Sequence, residues 1–342
     1  ECVTHGWTVD GEGKAMHKSL GNGVYPDELI PKYGADLIRL WAASTDYRLD
    51  VRCSDAIFKQ LSDKYLKIRN TARYILGNLN GFDPDKDAVA LEDMPELDRW
   101  ALSRLDKLIE RCLASYERYE FFTVTSSVHS LCVPDMSNYY LDVIKDRLYC
   151  DGEDSLSRRS AQTAIYTILD AMVRLLAPLL AFTSNEIWQA MPHTKGADAR
   201  HVMLNDMPEC DSARRLSAEA ELKWDNLMRI RDDVNKALEL ARAEKLIGKP
   251  LDAKVTVSVS EEARAAWDSV KDAQLDKLCI VSELSEGDAE GGFAGEEMPG
   301  ITIKVEPSEL PRCPLCWTHD AGIGSDSEHP ELCPRCAAAI KK

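Results

Sequence analysis

Apolar residues recur at three- and four-residue steps through the middle of the chain, which is the period of an amphipathic helix. The first stripe runs from Ile57 to Leu79, with Ser54 as its predicted N-cap. Three more stripes follow: Leu97 to Tyr116, Val124 to Ile144 with a bend or break near Pro134, and Ile165 to Leu179 with an interruption at Pro178. Residues 54 to about 192 are therefore predicted to form an antiparallel bundle of long helices.

The pattern changes on both sides of this bundle. The first fifty residues are rich in glycine and are predicted to form loops. Near the end of the bundle, Thr183-x-x-Glu186 resembles a capping box at a helix start. A further helix is predicted to end at Gly248-Lys249-Pro250. Period-two alternation then predicts two strands, at 255–259 and 301–305, with a helix-like stretch between them and an acidic, glycine-rich loop expected to be mobile. The overall prediction is a mainly α protein with a small α/β unit.

The amino-acid composition narrows the class of protein but does not decide its function. With 342 residues at roughly 150 per domain, two or three domains are expected, and 44% hydrophobic with 29% charged residues is typical of globular proteins. The longest apolar run has eight residues, against the roughly 18 that a membrane helix needs, and no secretory signal opens the chain. A net charge of −16 argues against an obvious nucleic-acid binder.

That charge is unevenly distributed. Residues 261–300 hold eleven acidic and three basic residues, a net charge of −8 and half of the total. Basic residues cluster elsewhere, at Lys64, Lys67, Arg69 and Arg73, at Arg158 and Arg159, and at Arg312, Arg335, Lys341 and Lys342. Such clusters can contact RNA phosphates, although solvated helix surfaces look the same in a sequence. An exposed Trp317 beside them could stack an unpaired base, or could pack on its own domain.

Four of the eleven cysteines form two matched pairs near the end of the chain. Cys313-x-x-Cys316 and Cys333-x-x-Cys336 are separated by sixteen residues, which is the spacing of a structural zinc site with four thiolate ligands. A closed shell of four thiolates leaves no position for water, so a folding role is predicted and not a catalytic one. A redox pair or unrelated thiols is the alternative, and His319 or His329 could replace one cysteine.

The tract from Lys14 to Asn22 places Lys18-Ser19 in a glycine-flanked loop that could present an ammonium and a hydroxyl to a phosphate. Together with His5-Gly6-Trp7 it resembles the KMSKS loop of class I aminoacyl-tRNA synthetases. Further tracts are similar to the isoleucine-specific members in particular: Tyr33-Gly34-Ala35-Asp36, Ile68-Arg69-Asn70-Thr71, Leu97-Asp98-Arg99-Trp100, Lys145-Asp146-Arg147-Leu148-Tyr149 and the terminal cysteine pairs.

The resemblance implies roles for individual residues. Lys18 would contact ATP phosphates and stabilise charge at the α-phosphate as an isoleucyl-adenylate forms, with Mg²⁺ present, and Ser19 would help to hold the loop. The family's first loop lysine falls at Ala15, and His17 stands where serine is commoner, so one cationic contact is missing. The expected tRNA(Ile) contacts are Arg69, Arg73, Arg158, Arg159, Trp317 and Arg335.

The resemblance also implies a division of the chain. We expect the end of a catalytic domain at 1–53, an anticodon-binding bundle at 54–205, a long helix connector at 206–250, a small α/β unit at 251–308 and a zinc ribbon at 309–342. The 342 residues contain no HIGH-type sequence and no editing domain. The expectation is therefore a monomeric, cytoplasmic C-terminal portion that binds tRNA and zinc, has no membrane partner, and does not activate isoleucine by itself.

Two other functions remain open from the sequence. A free-standing RNA-binding or regulatory module descended from a synthetase would share the bundle and the ribbon, but it would have no need of Lys18 and Ser19. A zinc-ribbon scaffold that binds proteins through its acidic unit would keep zinc and lack affinity for tRNA.

Overall fold

A computed structural model describes residues 2–341, which fall into two compact units, Glu1–Asp142 with Leu156–Arg215 and Val143–Ser155 with Leu216–Lys342. Helix accounts for 53% of the chain, which confirms the mainly α prediction. The helices are α1 (Pro26–Tyr33), α2 (Ala35–Ala43), α3 (Asp55–Asn78), α4 (Glu96–Glu117), α5 (Phe121–Ser130), α6 (Leu141–Val143), α7 (Lys145–Cys150), α8 (Leu156–Leu176), α9 (Ala181–Ala190), α10 (Ala218–Ala243), α11 (Arg264–Asp268), α12 (Leu275–Cys279) and α13 (Pro334–Ile340). The strands are β1 (Thr8–Val9), β2 (Val51–Arg52), β3 (Ala253–Val259), β4 (Glu283–Glu286), β5 (Phe293–Ala294) and β6 (Ile301–Pro307). Among the described residues, no helix is both long enough and apolar enough to cross a bilayer.

The first unit is the helical bundle that the periodicity predicts. Helix α3 begins where expected, because the Ser54 hydroxyl accepts the Ile57 N–H at 3.4 Å. Its apolar face packs against α2, α5 and α8, while α4 packs against α5 and α8, and residues such as Ile75 and Leu105 are fully buried. One carboxylate is buried in this core and is hydrogen-bonded there: Asp98 accepts hydrogen bonds from the Tyr140 hydroxyl at 2.7 Å and the Ser160 hydroxyl at 2.5 Å.

The helix does not break at Pro134. It widens instead into a π-helix over Leu131–Tyr140, which continues directly from α5. Proline removes one N–H and crowds the carbonyl one turn back, and a wider turn accommodates both effects without ending the helix.

The start of α9 also differs from its prediction. The capping box at Thr183 is wrong, because the helix begins at Ala181 and the Thr183 hydroxyl contacts the Tyr65 hydroxyl at 2.9 Å. Asp36 supplies the cap instead: its carboxylate accepts the Thr183 N–H at 2.6 Å and the Phe182 N–H at 3.4 Å. The cap comes from a residue nearly 150 positions away, so no local pattern could reveal it.

The second unit contains α10 and a four-stranded sheet in the order β4-β3-β6-β5, with β3 and β4 parallel and the other pairs antiparallel. Helix α10 ends at Ala243, a few residues before the predicted stop. The loop expected to be mobile carries β5 and is held to α10, because the buried Asp233 carboxylate accepts the N–H groups of Glu296, Glu297 and Met298 at 2.8–3.0 Å. The prediction of a mobile loop is therefore wrong for residues 296–298, which these hydrogen bonds hold in place.

Candidate functional site

The Lys14-to-Asn22 tract forms a compact loop beside β1, which pairs in parallel with β2. Asn22 closes the loop: its amide donates to Asp10 Oδ2 at 2.9 Å and to the Ala15 carbonyl at 3.1 Å, and its Oδ1 accepts the His17 N–H at 3.0 Å. The Asn22 amide and the N–H groups of Lys14 and Glu12 lower the pKa of Asp10. The loop conformation is therefore set by Asn22 and Asp10.

Lys18 and Ser19 lie in a single 3₁₀ turn, Lys18–Leu20, that ends at Gly21 with φ +61°. Both side chains are exposed, and within the described residues no acid pairs with Lys18. The neighbouring Lys14 is instead ion-paired with Glu12 at 2.7 Å, so it does not substitute for the lysine missing at Ala15. The Lys18 ammonium is thus exposed in the loop and unpaired within the described residues.

The four predicted zinc ligands converge. All of Cys313, Cys316, Cys333 and Cys336 are buried, and their sulfurs lie within 4.8 Å of one another. The sulfurs of Cys316 and Cys333 are 3.7 Å apart, which matches the separation of about 3.8 Å that Zn–S bonds of ~2.3 Å impose in a tetrahedron. No histidine belongs to the cluster in the described part of the chain. The donor set fits one tetrahedral zinc ion and leaves no ligand position open.

The electrostatics of the cluster suit a metal. Burial would raise the pKa of Cys313, but the N–H groups of Cys333, Cys316 and Leu315 point at its sulfur and together lower its pKa to about 7. Burial raises the pKa of Cys333 and that of Cys336, where neighbouring thiols add to the effect. A cation in the cluster would supply the charge that keeps these thiols deprotonated.

The ribbon is held to α7 by charge. Arg335, between the last two ligands, donates through both terminal nitrogens to the Asp146 carboxylate and lies 3.7 Å from Asp151. This pairing raises the pKa of Arg335. Cys150, at the end of α7, packs against the zinc cysteines. These contacts explain why residues 143–155 belong with the ribbon and not with the bundle that precedes them in sequence.

Trp317 follows the second cysteine and is half exposed, with φ +69°, a backbone conformation that is rare for a bulky side chain. The Lys249 ammonium lies 4.3 Å from the centre of its ring and the Arg312 guanidinium 5.5 Å from it. The ribbon therefore presents an aromatic surface flanked by two cations.

The basic residues of the bundle differ in their exposure and in the contacts they make. Arg73 is exposed, and no ion pair or hydrogen bond engages it within residues 2–341. Arg69 is exposed and pairs with Glu186 at 3.1 Å. Arg158 is half-buried, whereas Arg159 has a side chain only 16% exposed that donates to the Gly81 carbonyl at 3.0 Å and pairs with Asp87.

Comparison with known families gives matches to three separate parts of the chain. Family descriptions match at residues 1–54 (tRNA synthetases class I, I, L, M and V), at 98–257 (anticodon-binding domain of tRNA ligase) and at 311–339 (zinc finger found in FPG and IleRS). The isoleucine–tRNA ligase of Syntrophotalea carbinolica is 49% identical over 339 residues, 99% of this chain and 36% of that protein. That of Geobacter sulfurreducens is 45% identical over 100% of this chain and 36% of its own length.

Along 99% of its length the chain is similar to isoleucine–tRNA ligases, at 42–49% identity. It corresponds to their C-terminal part and spans about 36% of the length of the curated relatives it matches. The zinc finger match and the four converging cysteines together confirm a structural zinc site. One solved structure, a LeuRS–tRNA–LeuAMS complex of Agrobacterium radiobacter K84, covers 75% of this chain and 25% of its own with 18% identity and a TM-score of 0.49, a likeness too low to carry a conclusion.

The roles of several residues at these sites could not be predicted from the sequence. Asn22 and Asp10 shape the Lys18 loop, and Asp146 and Lys249 contact Arg335 and Trp317 from distant parts of the chain. Asn22 lies within the family-like tract, so its identity was visible but its role was not. Asp146 also lies within a family-like tract, but the contacts of Asp146 and Lys249 could not be predicted, because their partners are 189 and 68 positions away.

Proposed function

We propose that this chain is the tRNA-binding C-terminal part of an enzyme that joins isoleucine to tRNA(Ile), using ATP through an aminoacyl-adenylate. The observation that carries the proposal is the 42–49% identity to isoleucine–tRNA ligases along 99% of the chain. The helical bundle and the zinc ribbon support it, since both match families named for this class of enzyme.

In the complete enzyme, Lys18 is proposed to bind ATP phosphates and to stabilise the charge that develops at the α-phosphate. Its exposed ammonium has no competing acid within the described residues, and the Asn22–Asp10 hydrogen bond holds the loop in one shape. Ser19, in the same turn, is proposed to help hold the loop. Mg²⁺ would neutralise the remaining phosphate charge.

The proposed RNA contacts are of two kinds. Arg69, Arg73 and Arg158 would bind phosphates, which fixes position without reading sequence. Trp317 would stack an unpaired base, with Lys249 close enough to meet an adjacent phosphate.

Two other candidates rank below these. Arg159 and Arg335 were predicted to contact RNA, but their side chains are only 16% and 36% exposed, against 49% for Arg69, and they pair with Asp87 and Asp146. An RNA contact by either guanidinium would have to share or break that pair, so we expect their removal to affect folding more than RNA binding.

The oligomeric state, the cellular location and the division of the chain are also proposed. We infer a monomeric, cytoplasmic protein with the five-part division of the chain given above, and isoleucine and ATP bound only together with the N-terminal domains that the family carries. No HIGH-type sequence occurs in the 342 residues, so the chain by itself should bind tRNA without activating isoleucine.

Two assays on the 342-residue chain test this proposal. Titration with tRNA at increasing salt should show affinity falling steeply, because phosphate contacts release counterions. Isoleucine-dependent pyrophosphate exchange should be absent. Affinity that does not change with ionic strength, or measurable exchange by the chain alone, would contradict the proposal. Zinc retention without tRNA binding would favour a protein-binding scaffold.

A further inference from the structure

A cavity of about 160 Å³ lies in the first unit where α2, α3 and α5 pack together. The buried Leu40 and Ile68 contribute its apolar lining together with Phe122, and the half-buried or exposed polar side chains of the lining form its rim: Ser44, Lys64, Ser126, His129 and Ser130. That volume is well above the ~10–15 Å³ needed for one water molecule. None of its nine lining residues is acidic. The lining of this cavity therefore carries basic and hydroxyl groups but no carboxylate, although the protein is acidic overall.

Cationic and donor groups line this rim. Lys64 of α3 and His129 of α5 both line the cavity, and Lys67 lies one turn along α3 from Lys64. Burial first, and then the charges of Lys64 and Lys67, lower the pKa of His129. The two ammonium groups therefore act on the imidazole, and no acid offsets them among the causes of that shift.

The hydroxyls at the rim differ in what they already bind. Thr125 donates to the Phe122 carbonyl at 3.0 Å and Ser126 to the Thr123 carbonyl at 3.1 Å. Ser44, at the end of α2, and Ser130, at the end of α5, have no hydrogen-bond acceptor for their hydroxyls within residues 2–341. Two free hydroxyl donors, an ammonium and an imidazole therefore meet from three helices.

We propose that this cavity binds a phosphate group of RNA, with Lys64 as the cation and Ser44, Ser130 and His129 as hydrogen-bond donors. A tetrahedral phosphate takes donors from several directions at once, which a rim built from three separate helices supplies. This inference rests on the proposed tRNA-binding function and adds to it a specific backbone contact. It also separates Lys64 and Lys67 from Arg69, which faces Glu186 of α9 on another side of α3.

The test uses the full 342-residue chain in two arms. In the first, inorganic phosphate is added while the His129 ring resonances are followed by NMR, in the wild type and in a Ser44→Ala, Ser130→Ala double variant. We expect saturable shifts in the wild type that are lost in the double variant. In the second, tRNA binding is measured at several salt concentrations for Lys64→Gln and for the control Lys59→Gln. Lys59 is exposed on the same helix and pairs with Asp55.

Lys64→Gln should raise the Kd for tRNA roughly tenfold, since a charge-assisted hydrogen bond is lost, and reduce the salt slope by about one. Lys59→Gln should change neither. Phosphate binding with equal tRNA affinity in both lysine variants would assign the cavity to free phosphate and overturn its role in RNA binding. Absence of any His129 shift would overturn the site itself. If the wild type failed to bind tRNA while the phosphate arm succeeded, the proposed function would fail and the anion site would stand.

Discussion

Asp36 shows at the scale of one residue how a distant side chain sets a helix boundary. The residue is 7% exposed, and its carboxylate accepts hydrogen bonds from the N–H groups of Phe182 and Thr183 in the first turn of α9. These N–H groups have no partner within the helix, and a negative charge at a helix N-terminus also interacts favourably with the helix dipole. The position of α9 therefore depends on a residue of α2, within the tract that resembles the synthetase family.

Asp36→Ala should lower the free energy of unfolding by about 1–2 kcal/mol, the usual cost of losing an N-terminal cap. Asp36→Asn should lose less, because its amide oxygen still accepts one N–H. Asp63→Ala, which removes an exposed carboxylate from the middle of α3, is the matched control. Urea unfolding followed by circular dichroism measures all three. Equal stability of Asp36→Ala and the control would show that the cap contributes nothing.

Trp317 makes a second prediction at this scale. Trp317→Ala should weaken tRNA binding by about 1–3 kcal/mol if the ring stacks a base. Trp317→Phe should retain most of the affinity, since a smaller aromatic face remains. Zinc content should be unchanged in both variants, because the side chain is not a ligand. Wild-type affinity in Trp317→Ala would rule out the stacking role.

At the scale of elements, the zinc ribbon depends on its four cysteines. Cys316→Ser should abolish stoichiometric zinc and unfold the ribbon, since a piece this small has little core and zinc binding supplies its folding energy. Cys210→Ser, at an exposed thiol outside the cluster, should retain one zinc per chain. Elemental analysis after gel filtration gives the zinc content. Full zinc content in Cys316→Ser would contradict the four-thiolate site.

Proton release gives an independent test of the same element. The ordinary pKa of a cysteine thiol is about 8.5, and burial in the folded ribbon raises the pKa values of Cys333 and Cys336 further, so both thiols are mostly protonated at pH 7.5 whether the metal-free ribbon is folded or not. Zinc binding must displace these two protons, and its affinity should therefore fall as the pH falls. Calorimetry in buffers of different ionisation enthalpy counts the protons. Release of none would mean that these thiols do not bind the metal.

The elements also show what a sequence can predict. Helix α3 could be predicted from the spacing of its apolar residues and from its Ser54 cap. Strands β3 and β6 could be predicted from their alternating apolar and polar residues. Both signals are local in the sequence. The cysteine spacing alone predicted the zinc cluster. The cap from Asp36, the π-helix around Pro134 and the ion pair of Arg335 with Asp146 did not follow, since each depends on packing between distant segments or on a choice between helical geometries.

At the scale of the whole molecule, net charge is a poor guide to partners. Half of the −16 lies in residues 261–300, where acidic residues such as Asp268 and Glu286 already pair with Arg264 or Lys271. The proposed RNA contacts lie outside that segment, on the bundle and the ribbon. A local excess of cations determines phosphate binding, because charges more than about 10 Å away are screened at ordinary salt.

The central claim is that this chain binds tRNA through its bundle and its zinc ribbon as the C-terminal part of an isoleucine–tRNA ligase. The most direct measurement compares the Kd of the zinc-loaded 342-residue chain for tRNA(Ile) with its Kd for an RNA duplex of the same length without unpaired bases, over a range of salt. We expect tighter binding to the tRNA, because only unpaired bases can stack on Trp317, and an affinity that falls steeply with salt, because phosphates are bound. Equal affinity for both RNAs, or no binding to either, would contradict the account.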